Sequence, residues 1–295
     1  MIDIITRSGI LMNRKTFIKS ICILMTMPFS LIAKTNYKVK HKTKIRLIRH
    51  ATLIIEINGK KILIDPMLSK KDGLDPVQNC GNEIRFPMVD LPISSLELTN
   101  LLSGIDAVVV SHLHRDHWDI VAQKLIDKNI LIFCQPNDKH KIEEQGFKNI
   151  TPIVDNIVWK GISITRTKGQ HGDGEIGKKM GEVSGFIFNH KKESIYLAGD
   201  TIWCEDVEKA LSEFKPAITI LNAGGAKFLT GNPITMTPKD ILKVHNKLPQ
   251  TKIIAVHMDT VNHCFIKRTD LVKVLAENQL ESQVLIPNDG ETIEG

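Results

Sequence analysis

Cysteine is scarce, five in 295 residues, and no two of the five form a C-x-x-C pair, which excludes a zinc ribbon or a thioredoxin-type motif. Glycine (19) and proline (12) are too few for a fibrous chain, while 42% hydrophobic residues are too many for a disordered one. No Lys/Arg stripe of the kind that grips a phosphate backbone is present. The formal charge of +6 falls to about +3 once residues 1–33 are set aside, because that segment holds Arg7, Arg14, Lys15 and Lys19 against Asp3 alone. A nucleic-acid partner is therefore not expected. The longest apolar stretch near the N-terminus, Ile21 to Met27, is too short to span a bilayer. No short internal repeat is evident, and length and composition describe an ordinary globular chain.

From Met12 onward the N-terminus has the form of an export signal: a basic start at Arg14, Lys15 and Lys19, the apolar run, Pro28, and a stretch ending at Ala33. Arg14-Lys15-Thr16-Phe17-Ile18-Lys19 is similar to a twin-arginine motif with Lys15 in the second arginine position, and general secretion is the other route. Residues 1–33 thus read as leader and signal, 34–44 as a polar linker, and 45–295 as the working domain. The expected location is periplasmic or extracellular, or cytoplasmic if the signal is not used, with no stable membrane helix after cleavage. In an exported chain Cys80, Cys134, Cys204 and Cys264 could pair or stay free.

Strands are expected at Ile45–Ile48, Leu53–Ile57 and Lys61–Ile64, the last two joined by Asn58-Gly59, a strong hairpin signal. The long segment Ser69–Leu91 has little periodicity and suits a loop at the entrance of a site. Beyond it strands alternate with helices. Ala107–Val110, Ile130–Phe133, Ile162–Thr165, Gly185–Phe188, Ile195–Ala198, Ala217–Leu221, Ile253–Val256 and Val284–Ile286 read as strands, and Asp119–Lys128, Pro136–Gln145, Glu205–Phe214, a segment from Pro238 and Thr269–Gln279 as helices. Two β-rich halves, each with helices, predict an α/β fold of two sheets between helical layers.

Three of the eleven histidines fall within six residues, in Ser111-His112-Leu113-His114-Arg115-Asp116-His117, directly after the apolar strand ending at Val110. In extended chain, positions two apart face the same way, so His112 and His114 can address one cation while a turn lets Asp116 and His117 address another. Imidazole and carboxylate are ligands that zinc accepts without redox chemistry. Asp119 is placed to cap the following helix. Further ligands are expected from loops after other strands: His171 in Gly169-Gln170-His171-Gly172, Asp200 in Gly199-Asp200-Thr201, and His257 in Val256-His257-Met258-Asp259.

The order H-x-H-x-D-H followed by His, Asp and His resembles the metallo-β-lactamase-fold hydrolases, from about Ile45 to the C-terminus. The resemblance implies a four-layer αββα sandwich of two mixed β-sheets flanked by helices. It implies that His112, His114 and His171 hold one metal ion, that Asp116, His117 and His257 hold a second, and that Asp200 lies between them. Ile48-Arg49-His50-Ala51-Thr52, Leu63-Ile64-Asp65-Pro66 and His257 to Cys264 are similar to the branch that includes ascorbate-6-phosphate lactonases and lipid phosphodiesterases, although Arg49 stands where that branch usually has glycine. Two divalent ions, zinc first and manganese or iron as alternatives, would activate water against an ester, lactone or phosphodiester in a small-molecule substrate. Asp116 would help orient the attacking water and His263 would protonate the leaving group, with packing behind the ligands as the other reading of His263. Asp65 would orient a ligand histidine or simply open a turn with Pro66. A mononuclear iron oxygenase on the same fold and a non-catalytic metal-binding protein are the alternatives.

Overall fold

The computed structural model describes residues 43–294. The leader and all but the last two residues of the linker lie outside the described residues, and no helix among those described is long and apolar enough to cross a membrane.

The chain forms two seven-stranded mixed sheets. The first contains β1 (Lys44–Arg49), β2 (Thr52–Ile57), β3 (Lys60–Ile64), β4 (Ala107–Val110), β5 (Leu131–Cys134) and β6 (Asn149–Pro152), with the late strand β14 (Thr292–Glu294) on the edge beside β1. The second contains β7 (Asn156–Trp159), β8 (Ile162–Lys168), β9 (Ser184–His190), β10 (Glu193–Leu197), β11 (Ile218–Asn222), β12 (Lys252–Val256) and β13 (Val284–Leu285). Each sheet opens as an antiparallel meander and continues as parallel strands, from β3 to β6 in one and from β10 to β13 in the other. The hairpin at Asn58-Gly59 forms as its sequence requires: both residues have positive φ and Ile57 pairs with Lys60.

Alternation along the strands explains the layering. In β4, Ala107 and Val109 enter the core between the sheets, and Val108 and Val110 enter a second core under the helices. In β12, Ile254 and Val256 face the inter-sheet core while Ile253 and Ala255 face the other helical layer. Strands buried on both faces must be apolar throughout, as these are. Helices α1 (Ser95–Ser103), α2 (Ile120–Leu125) and α3 (Lys139–Glu144) supply Leu98, Leu102, Ala122 and Ile142 to the first outer core. On the other side α5 (Glu205–Phe214), α6 (Pro238–Lys247) and α7 (Arg268–Glu277) supply Val207, Leu211, Ile241, Val244, Leu271 and Leu275. The result is the four-layer αββα sandwich that the motif implied.

Several boundaries differ from the sequence reading. β1 takes in Lys44, one residue before the expected domain start. The stretch after Gln135 is a 3₁₀ turn over Pro136–Asp138 followed by α3, which stops before Gly146 at φ +89°. The glycine-rich segment after His171 contains a short helix, α4 (Gly174–Met180), whose Ile176 and Met180 pack toward Phe86 and Ile234. Cys80, Cys134, Cys204 and Cys264 are all free thiols.

Candidate metal centre

Every predicted ligand lies just past the carboxyl end of a strand: His112, His114, Asp116 and His117 after β4, His171 after β8, Asp200 after β10 and His257 after β12. Loops at the carboxyl ends of strands have no ladder partner beyond them, so their side chains are free to converge. Close approach is built into the backbone here. Gly199 holds φ +71° immediately before Asp200, and a Cβ on Gly224 would stand 2.1 Å from the carbonyl oxygen of His257.

The seven residues gather into two touching groups. His114 Nδ1 lies 2.9 Å from His112 Nε2 and 3.3 Å from His171 Nε2. His117 Nε2 and His257 Nε2 are 3.2 Å apart, each 3.6 Å from Asp116 Oδ2. Asp200 reaches both groups: Oδ2 is 3.2 Å from His117 Nε2 and 3.5 Å from His171 Nε2, while Oδ1 is 3.3 Å from His257 Nε2. All but the partly exposed His114 are buried.

The hydrogen bonds behind these side chains decide what the centre can hold. His117 Nδ1 donates to Asp65 Oδ2 at 2.8 Å, and His171 Nδ1 donates to the Ile234 carbonyl at 2.9 Å. Ser111 Oγ lies 2.7 Å from Asp65 Oδ2 and 3.0 Å from His112 Nδ1; as donor to the carboxylate it must accept from His112. These bonds hold a proton on the outward nitrogen of each ring, so the inward Nε2, which bears a lone pair whenever the ring is neutral, faces carboxylate oxygens and other ring nitrogens. Only positive charge reconciles that arrangement. Burial would lower the pKa of His117, yet Asp200, Asp116 and Asp65 carry it well above the usual imidazole value. His117 in turn helps to hold Asp116 and Asp200 well below the usual carboxylate range against their own burial. The donor set fits divalent cations, with His50, Asp116, His117 and His257 offering one group of ligand atoms, His112, His114 and His171 another, and Asp200 joining His112 and His117.

His50, left without a role by the departure at Arg49, belongs to this centre. Its ring lies tilted by 36° against His257 with centroids 3.6 Å apart, and Nε2 lies 3.3 Å from Asp116 Oδ2. Burial, followed by the His257 charge, keeps His50 well below the ordinary imidazole pKa. His50, Asp65 and His257 all adopt positive φ, a conformation costing non-glycine residues about 1 kcal/mol or more and tolerated where the surroundings over-determine it. Arg49 points away from the centre, donating to the carbonyls of Val89, Met67 and Ser69. Asn222, at the end of β11, donates to Asp200 Oδ1 at 2.7 Å; its place at a strand's carboxyl end was the available sequence signal. Asp119 caps α2 through the Ala122 amide and also accepts from the Ser69 amide.

Above the ligands is a cavity of about 390 Å³, lined at its base by His114, Asp116, His171, Asp200 and His263. His263 is 6% exposed, its Nδ1 has no hydrogen-bond partner, and burial pushes its pKa down to about 4. The segment 69–91 forms a wall of this cavity through Val77, Gln78, Asn79 and Phe86. It is pinned in place: Arg49 ties down its ends, and Asn262 exchanges hydrogen bonds with the Val77 backbone. Lys168, Lys178 and Lys179, in and beside the His171 loop, do not line the cavity. His140 pairs with Glu144 on the surface and His190 bonds the Gly161 carbonyl, so neither joins the centre. A larger hollow of about 480 Å³ lies between α1 and β1–β3 and contains no histidine.

The fold and this centre define a class, and comparison with known proteins agrees. The family described as "Beta-lactamase superfamily domain" matches residues 60–258, and the chain belongs to that superfamily. Within it the chain belongs with the UPF0173 metal-dependent hydrolases, and it is an enzyme of that type. It is 39% identical to UPF0173 protein YddR of Bacillus subtilis over 83% of this chain and 97% of that one. Two crystal structures are similar over nearly their whole length. A possible metal-dependent hydrolase from Veillonella parvula shares 41% identity at a TM-score of 0.82, covering 86% of this chain and 99% of its own. The isothiocyanate hydrolase from Delia radicum gut bacteria shares 39% identity at a TM-score of 0.81, covering 85% and 100%.

Proposed function

We propose that this hydrolase works with two divalent ions, zinc foremost, and uses them to hydrolyse an ester, lactone or phosphodiester in a small molecule. The observation that carries the reading is the inward convergence of three Nε2 lone pairs, fixed by outward hydrogen bonds, onto carboxylates at the base of one cavity. His112, His114 and His171 would hold one ion and Asp116, His117 and His257 the other, with Asp200 between the two groups. Ions so held supply a Lewis acid for the electrophile and lower the pKa of water, so that no side-chain nucleophile is needed.

The chain's own groups do the rest. Asp65 and the Ile234 carbonyl keep the protons of His117 and His171 on Nδ1. Asp116 accepts from His50 and orients the attacking water, and Asn222 steadies Asp200. His263, kept neutral at ordinary pH by a pKa pushed down to about 4, stands on the cavity wall where it would hydrogen-bond the leaving group rather than act as an imidazolium acid. The isothiocyanate hydrolase among the similar structures adds an electrophilic carbon of that kind to the substrates worth testing. Export rests on the basic and apolar leader; a shortened chain recovered from the exported fraction checks it, and full-length protein confined to the cytoplasm counts against it.

The decisive experiment is metal analysis by plasma mass spectrometry on protein purified without chelators, alongside turnover of ester, lactone, phosphodiester and isothiocyanate panels. About two zinc ions per chain, lost together with turnover in His114→Ala, is the expected result. A His114→Ala protein with full activity and depleted metal refutes the assignment, and a single iron redirects it to oxygen chemistry.

A further inference from the structure

The walls of the cavity differ in kind from its base. Val77 and Phe86 come from the segment 69–91, Met180 from α4, and Phe228 and Ile234 from the chain between β11 and α6, so three separated stretches deliver apolar side chains to one space. Val77, Met180 and Phe228 are the open edge of a packed cluster backed by the wholly buried Phe86 and Ile234 and by Met67, Ala226 and Val261. Packing from behind and the Asn262 bonds to Val77 make this a preformed surface, which a ligand covers without first ordering it.

Charge is sparse on that surface. Arg115 is the one Lys or Arg among the lining residues, and it is partly committed: Nη2 donates to the Pro76 carbonyl and the guanidinium sits 5.0 Å from the centre of the Phe86 ring. A charged substrate body would lose its hydration here and recover little, whereas an aryl or short alkyl body would replace water against the three partly exposed apolar side chains, Val77, Met180 and Phe228.

We infer that the substrate has a compact, uncharged apolar body, aryl or short alkyl, which lies against Val77, Met180 and Phe228 and presents its reacting group to the metal centre. The inference rests on the hydrolase reading above and narrows it: uncharged esters, lactones or isothiocyanates are favoured over phosphodiesters.

Three probes with one metal-chelating head separate body from chemistry. They are acetohydroxamate, phenylacetohydroxamate and the monohydroxamate of succinate, titrated calorimetrically into the zinc-loaded full chain. Phenylacetohydroxamate is expected to bind about tenfold or more tighter than acetohydroxamate, from the apolar area it buries. The succinate probe, with its free carboxylate, is expected to gain nothing. Phe228→Ala and, separately, Met180→Ala should each shrink the phenyl-to-methyl ratio with zinc content unchanged; both positions are only partly buried, so the fold tolerates their truncation. Equal binding of the phenyl and methyl probes, tightest binding of the carboxylate probe, or no binding by any of the three overturns the inference. A phenyl preference that persists while no panel compound is turned over overturns the hydrolase chemistry and leaves the apolar cavity standing.

Discussion

Asp65 sits behind the ligands yet governs two of them. Its Oδ2 accepts from His117 Nδ1 and Ser111 Oγ, and its Oδ1 accepts from the Ser111 amide, so both oxygens receive protons. An amide has one accepting oxygen and one donating nitrogen, and in either orientation Asp65→Asn sets a donor against a donor. The expected outcome is a folded protein whose metal affinity is lower by roughly 10- to 100-fold, the usual cost of losing such a partner, measured by competition with a chromophoric chelator. Affinity equal to wild type would show that His117 is held by packing alone. The convergence of the candidate ligands was legible in the sequence because their chemistry is written in residue type and short spacing. Asp65 offered only an Asp-Pro dipeptide at a strand end, equally suited to a turn. His50 was obscured by Arg49, whose side chain turns out to run the opposite way, into the carbonyls of 67, 69 and 89. Orientation of that kind depends on chain brought from elsewhere and has no local signature.

The segment 69–91 acts as an element although it contains no helix or strand. Expected from its sequence as an entrance loop, it is instead a fixed wall, closed on itself by the Leu74–Phe86 bridge and fastened to the chain after β12 by Asn262. The Asn262 amide bonds both the amide and the carbonyl of Val77, and its own backbone carbonyl accepts from Asn82. Asn262→Ala removes the first two bonds, together with those its side-chain nitrogen gives to Cys80 Sγ and Asn82 Oδ1, and touches no candidate ligand, so the wall should loosen while the centre stays loaded. Substrate KM is expected to rise about tenfold with kcat and zinc content nearly unchanged, the pattern of lost binding common to ground and transition states. A fall in kcat at constant KM would place Asn262 in the chemistry instead. Among regular elements, central strands were legible and edges were not. Ala107–Val110 and Ile253–Val256 are apolar on both faces and announce themselves, whereas β6 and β7, each on a sheet edge, are largely half-exposed and mix Asn, Thr and Pro with their apolar residues. β14 joins its sheet only by returning 246 to 250 residues later to pair with Lys44, Ile45 and Arg46, which no local pattern encodes.

At the scale of the molecule, the centre lies where the two halves of the chain meet. One half supplies His50 and the His112–His117 motif, and the other supplies His171, Asp200 and His257, so the ligand atoms can assemble only when both sheets are in place. The metal-free centre crowds lone pairs and carboxylates in a buried space, an arrangement relieved by cations and absent from the unfolded chain. Metal therefore binds the folded form in preference, and folding and loading are linked. For one site with free metal at 100 times its Kd, mass action stabilises the folded state by about 2.7 kcal/mol. A domain of this size gains roughly 2–4 °C per kcal/mol, so removing metal with a chelator should lower the melting temperature by about 5–10 °C, and more if two tight sites are emptied. Restoring zinc in steps should raise it again along a curve that depends on zinc concentration. His114→Ala, truncated at a partly exposed ligand, should melt near the chelated wild type and respond weakly to added zinc. A melting temperature that ignores both chelator and zinc would mean that hydrogen bonding and packing alone carry the junction of the two halves, and that the ions serve the reaction without supporting the fold.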